Sequence, residues 1–323
     1  MSYFHKCKTE TYLECDPTQE YEYYEKYDEL KQEAQYIERT RLPFINKENI
    51  RMKTQTAPSF EVPMKRNIFG LFTIPVTIYG KTYCFILDTG AQISAIKQTV
   101  MEDLQLSQIE NMVEIGSAGG QKKTMHGCLL TSLQIGESTF ENVPMLCLCK
   151  KEFSLRLGAI DCFRFDGIIG WDILQTFDFE LDDIAKKFKV LKNIYRFSYQ
   201  NFISDVFPVM FVKDEKGHIL TFGFDSGSKR SWINKKSAEK YDYTCIMHTD
   251  AHIFGVHGME KTKLYIYDKV ILYLFKAKIT ISKIMSGNCA VYGDKEVDGV
   301  LGNEILKNRR MRFLNSKGMV LLL

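Results

Sequence analysis

The sequence predicts an all-β fold: two tandem β-barrel lobes forming a bilobal pseudo-dimer, with an N-terminal α-helical extension. Three observations predict it. From residue 67 onward, apolar residues alternate with polar ones over strand-length runs separated by turn residues. Four features then recur in the same order in two successive stretches of chain, which is the signature of an internal duplication. Residues 1–66 share neither property and carry a helical stripe instead.

The extension comes first. Asp16-Pro17 reads as an N-cap followed by proline at the first helical position. Apolar side chains follow at Tyr23, Tyr27, Leu30, Ala34 and Ile37, alternately four and three apart, which makes one apolar face. Pro43 ends the helix. Residues 44–66 read as an extended connector containing Pro58 and Pro63. The helix is expected to brace the body or to serve as a partner or self-association surface. The alternative is that the segment lies across a cleft, with Arg41, Lys47, Arg51, Lys53, Lys65 and Arg66 pairing acidic groups there.

The first lobe, residues 67–198, opens with LFTIPVTIYGKTYCFIL. The run alternates through Phe72, Ile74, Val76 and Ile78, turns at Tyr79-Gly80-Lys81, and returns as Tyr83 to Leu87. The second lobe, residues 199–323, opens with VFPVMFVKDEKGHILTFGF, which turns between Lys213 and Gly217. Each hairpin runs into an acidic tripeptide, Asp88-Thr89-Gly90 in the first lobe and Asp225-Ser226-Gly227 in the second. A glycine-rich segment follows each, so that Asp88 to Gly120 spans 32 positions and Asp225 to Gly258 spans 33. Asp166-Gly-Ile-Ile-Gly170 and Asp298-Gly-Val-Leu-Gly302 come next, each with Ile-Leu close behind, and each lobe closes with a further hairpin.

A carboxylate at the end of a buried apolar strand is costly unless another group pairs with it or shares its proton. Two such carboxylates brought together explain each other, because a close pair retains one proton between them. The alternative for either aspartate alone is a loop-capping role on backbone N–H groups. The paired Asp-Thr/Ser-Gly tripeptides, each with its downstream GIIG or GVLG, resemble the aspartic peptidases. The short, nearly equal lobes resemble retropepsins, with both halves supplied by one chain. The resemblance covers residues 67–323.

It implies that Asp88 and Asp225 are the catalytic pair and that water is the nucleophile, with no cofactor and no metal. It also implies that Thr89 and Ser226 cross-bond the two loops, that Gly90 and Gly227 permit close backbone approach, and that segments 113–130 and 250–264 form flaps with Gly119, Gly120, Gly255 and Gly258 near their tips. Ser228, where the first copy has Ala91, is expected to donate to Asp225 and make it the more readily ionised member. Lys229 and Arg230 depart from the retroviral pattern, and they are expected to form a solvated turn with a partner such as Glu304; the alternative is a basic wall to the cleft that favours acidic substrate residues.

The remaining signals are exclusions. The chain has 323 residues, 45% hydrophobic and 26% charged, which suits a globular protein of about two domains. A net charge of +3 without a dense Lys/Arg block argues against nucleic acid. The start, MSYFHKCKTE, has no signal-peptide apolar core, and no run is long enough to cross a membrane as a helix. Nine cysteines without disulfide spacing read as reduced thiols, hence a cytoplasmic protein. Cys147 and Cys149 have no second pair at zinc spacing, and His248, His252 and His257 fall on an expected β-flap, so neither group is read as a metal site. The expected activity is intracellular aspartic endopeptidase acting on a peptide or protein substrate, for which a monomer suffices. The alternative is a non-catalytic peptide-binding or scaffold protein that retains the fold.

Overall fold

The computed structural model describes residue 28 and residues 52–116, 122–149, 156–157, 160–161, 165–192, 200–204, 207–255, 258–286, 291–292 and 295–323. The expected helix over residues 16–43 lies outside the described residues except for Asp28.

Two barrel-like sheets dominate. The first contains the hairpin Phe72–Ile78 with Lys81–Leu87, whose turn places Tyr79 at φ 49° and Gly80 at φ 79°. Both values are positive, as a two-residue turn matching strand twist requires. Strand Lys122–Ile135 pairs both Ser138–Leu148 and the hairpin's first strand, which curls the sheet on itself. The second barrel repeats the plan. Val209–Asp214 pairs Ile219–Asp225, and Gly258–Leu274 pairs both Ala277–Ser286 and Val209–Asp214. In each barrel the strand that ends in the acidic tripeptide lies parallel to the short strand of the downstream glycine motif, with Leu87 opposite Ile169 and Asp225 opposite Gly302. These are the intervals that the sequence repeats.

A five-stranded sheet joins the lobes. Its order is Phe60–Pro63, Lys187–Val190, Asp178–Asp182, Arg310–Leu314, Met319–Leu322. At its centre the closing hairpins of the two repeats pair antiparallel, Phe179 opposite Phe313, with their rings stacked at 4.8 Å. Trp171, Phe202 and Phe224 pack around Phe313, and each is fully or almost fully buried. Aromatic contacts of this kind add about 0.5–1.5 kcal/mol each beyond the area they bury.

The stretch expected as a connector is extended but also paired. Lys53–Gln55 pairs Thr139–Glu141, Phe60–Pro63 forms the edge of the joining sheet, and Lys65–Arg66 pairs Phe72–Thr73. Phe60 and Val62 are buried while Glu61 and Pro63 are exposed. That alternation fixes the strand's register, because a slip of one residue would expose both apolar groups.

Candidate active site

The two tripeptides meet where the barrels abut. Thr89 Oγ1 donates to the Phe224 carbonyl at 2.8 Å and accepts from the Ser226 N–H at 2.9 Å. In mirror image, Ser226 Oγ donates to the Leu87 carbonyl at 2.7 Å and accepts from the Thr89 N–H at 3.0 Å. Both side chains have no exposure. Each hydroxyl therefore satisfies one backbone donor and one acceptor of the opposite lobe, which removes the desolvation cost of four buried polar groups. Either Thr or Ser can do this, since only the hydroxyl is used.

These bonds place the carboxyl groups of Asp88 and Asp225 within hydrogen-bonding reach of each other. Asp88 Oδ1 accepts from the Gly90 and Ala91 N–H groups at 2.9 and 3.0 Å, and Asp225 Oδ1 accepts from the Gly227 N–H at 2.8 Å. The glycines are required by crowding. A Cβ at Gly90 would lie 2.5 Å from Asp225 Cγ, and one at Gly227 would lie 2.4 Å from Asp88 Cγ.

Burial raises both carboxyls above their ordinary value. The neighbouring carboxyl and the Ala91 and Gly90 N–H groups temper the rise at Asp88, whereas at Asp225 the charge and hydrogen bond of Asp88 add to it and push it well up against the Gly227 and Ser228 N–H groups. The pair is thereby suited to holding one proton between its members, and Asp225 is the one pushed up further. Ser228 Oγ donates to the Arg230 carbonyl at 2.8 Å instead of to Asp225, so that the Ser228 influence on the acid comes from its backbone N–H, and Lys229 and Arg230 stand in solvent. The expected pairing of Arg230 is present, with Nη1 2.9 Å from Glu304 Oε2.

The downstream motifs support the loops through matched bonds. Asp166 Oδ2 accepts from Cys84 N–H and Asp298 Oδ2 from Thr221 N–H, at 2.7 and 2.8 Å. Ser94 Oγ and Ser231 Oγ accept from the N–H groups of Gly170 and Gly302, at 2.9 and 3.0 Å. Both serines escaped the sequence reading, although each lies six positions after its aspartate. Asn303 was also missed. Its Nδ2 donates to the Ser226 and Gly70 carbonyls, and its Oδ1 accepts from Arg66 Nη1 at 3.0 Å. Arg66 Nε also reaches Asp183 at 3.0 Å, so Arg66 serves the lobe interface and makes no bond to the dyad. Lys53 and Lys65 stand on the paired strands described above, and Arg41, Lys47 and Arg51 lie outside the described residues. The first lobe answers Asn303 with Trp171, whose Nε1 donates to the Ser204 carbonyl of the second.

The expected flaps are hairpins. Ile109–Gly116 pairs Lys122–Gly127, and Cys245–Gly255 pairs Gly258–Tyr267. Gly255 and Gly258 face each other at the second tip, while Gly119 and Gly120 lie outside the described residues. His248 and His252 sit on the strand Cys245–Gly255, and His257 lies outside the described residues. Among the described residues no cluster of His, Cys, Asp or Glu is arranged to hold a metal, and no helix is long and apolar enough to cross a membrane. Cys147 is buried beside Cys128 in the first barrel, and Cys149 is exposed beyond the strand end.

Residues 74–173 match the family model described as aspartyl protease. Among solved structures, a retropepsin-like aspartic protease from Rickettsia conorii is similar, at 20% identity over 43% of this chain and 94% of that chain, with a TM-score of 0.28. Comparison with curated proteins gives no match. The family match spans less than a third of the chain and takes in Asp88-Thr89-Gly90 and the GIIG segment of the first repeat.

Proposed function

We propose that this chain is a single-chain aspartic endopeptidase, with lobes over residues 67–198 and 199–323 and with Asp88 and Asp225 as its catalytic dyad. The observation that carries this reading is the reciprocal set of four buried hydroxyl–backbone bonds, which uses one hydroxyl from each lobe and brings the two carboxyls together.

The protonation of the pair assigns the roles. Asp88, held as the carboxylate by the Gly90 and Ala91 N–H groups, takes a proton from a water bound between the two acids. That water's oxygen bonds to the peptide carbonyl carbon. Asp225 gives its proton to the carbonyl oxygen, so the tetrahedral species forms as a neutral gem-diol. Asp88 then returns its proton to the departing amine nitrogen as the C–N bond breaks. A hydroxyl proton of the gem-diol passes to Asp225, leaving a carboxylic acid product and the dyad in its starting state. No covalent intermediate with the enzyme forms. The two flap hairpins cover the dyad and hold the substrate backbone. The free thiols at Cys84, Cys149 and Cys245, all exposed, fit a reducing, intracellular compartment.

The test is turnover of a mixed peptide library by the wild type and by Asp88→Asn, scanned from acid to neutral pH. Internal cleavage by the wild type that is lost in the variant supports the reading. Cleavage that survives the substitution, or none at any pH, overturns it in favour of a non-catalytic peptide binder.

A further inference from the structure

The duplication makes the cleft nearly symmetric, so each difference between its halves reads one side of a bound peptide. On the second lobe, Val300, Trp232, Met285 and Ile266 form a continuous row across four paired strands. Asp225 lies on that face, because the alternate residues Phe224 and Leu301 point into the barrel core. All four members of the row are half-buried. The row ends in a cavity of about 220 Å³ lined by Ile266, Met285, Ser282, Arg230, Lys283 and Glu304. Its floor is apolar and its rim is charged.

The charges do not cancel. Glu304 is engaged by the loop that carries Arg230, since Oε1 accepts from the Ser231 N–H at 2.7 Å and Oε2 from Arg230 at 2.9 Å. Lys283 has no carboxylate partner among the described residues. It lies opposite Asp268, between the pairs Tyr267–Ile284 and Lys269–Ser282, with φ 59°.

The equivalent place on the first lobe is built differently. Ile168, Ala95 and Leu146 make the corresponding row. Ile93 stands where the second lobe has Arg230, and it packs on an apolar cluster with Met125, Phe165 and Leu148. Asp172, the counterpart of Glu304, is bonded to the backbone and hydroxyl of Ser94.

We propose that the Lys283–Arg230 cavity is a specificity subsite for an acidic substrate side chain with an apolar stem, glutamate above all. The stem lies on Met285 and Ile266, and the carboxylate meets Lys283 and the free guanidinium face of Arg230. The first lobe offers an apolar surface at the matching place. The enzyme therefore favours an acidic residue on one side of the scissile bond and an aliphatic or aromatic one on the other, and it binds peptides in a single direction. This proposal rests on the peptidase reading given above.

The test uses one randomised peptide library in two ways. Cleavage products from the wild type and Lys283→Met give the glutamate-to-glutamine ratio at each position around the cut. Affinity selection on uncleaving Asp88→Asn, with and without Lys283→Met, gives the same ratio for binding. The expected result is a preference of about threefold to tenfold for glutamate at one position on one side of the cut, as for a partly exposed ion pair. It should shrink at high salt and be lost in Lys283→Met, in both readouts. A ratio near one at every position, or a preference untouched by Lys283→Met, overturns the subsite. If the wild type cleaves nothing, the hydrolytic reading fails, and the binding ratio still decides the subsite.

Discussion

Thr89 offers a quantitative test of how the two lobes are joined. Its hydroxyl makes two bonds to the opposite lobe, at 2.8 and 2.9 Å, in a place with no exposure. Thr89→Val keeps the volume but leaves the Phe224 carbonyl and the Ser226 N–H buried without partners. Each such group costs about 1–3 kcal/mol, so the substitution should destabilise by about 2–6 kcal/mol. Thr89→Ser keeps both bonds and loses one methyl, which costs about 1 kcal/mol. Urea unfolding followed by the fluorescence of Trp171 and Trp232, the only two tryptophans in the sequence, measures both. Trp171 is buried at the lobe junction and reports directly on its opening. A Thr89→Val protein within about 1 kcal/mol of wild type would refute the reasoning, because the cross-lobe bonds would then contribute nothing net.

Three further outcomes follow. Burial holds both dyad carboxyls above their ordinary 3.8, Asp225 well above, so the folded chain binds more protons than the unfolded one. The dyad's contribution to stability is then full below pH 3.8 and is lost as pH rises through the folded values. Asp225→Asn should gain stability over wild type as pH rises from about 4 to neutral, and a difference flat with pH would contradict this. Asp183 behaves oppositely: burial raises it, but Arg66, Lys186 and the Asn308 N–H outweigh that and hold it below 3.8. Removing one of its partners with Arg66→Met should cost about 1–3 kcal/mol at neutral pH and less as Asp183 protonates in acid, as thermal unfolding at two pH values would show. Gly227→Ala drives a Cβ against Asp88, and it should lower kcat by about 100-fold or more while circular dichroism stays that of the wild type.

The meeting of the two aspartate loops and the hydroxyls that cross-bond them were legible in the sequence because they depend on residue type and spacing alone. An aspartate at a strand end, then a hydroxyl, then a glycine, occurring twice, leaves little freedom. The barrels were legible for a similar reason, since alternation with period two and glycine turns fix each hairpin locally. The joining sheet was not. Phe60–Pro63 alternates no more clearly than many connectors, and its partner strand lies more than a hundred residues away. Nothing local announces such a pairing.

The hydroxyl of Ser228 was not legible in the same way, because it donates to the Arg230 carbonyl two residues on, where the turn's backbone geometry and not residue type sets the acceptor. Asn303 was hidden because the repeat puts tryptophan in its place. Trp171 and Asn303 both reach across to the other lobe's backbone, but through different chemistry, so comparing the copies by residue type conceals a shared role.

The central claim is that one chain supplies both halves of a working dyad. The most direct measurement is peptide turnover by the wild type, by Asp88→Asn, by Asp225→Asn, and by an equimolar mixture of the two variants, each over a wide range of protein concentration. The account predicts wild-type turnover strictly proportional to concentration, loss of turnover in each variant, and no recovery on mixing. Recovery in the mixture, or wild-type activity that disappears on dilution, would show that the aspartates pair between chains and would contradict it.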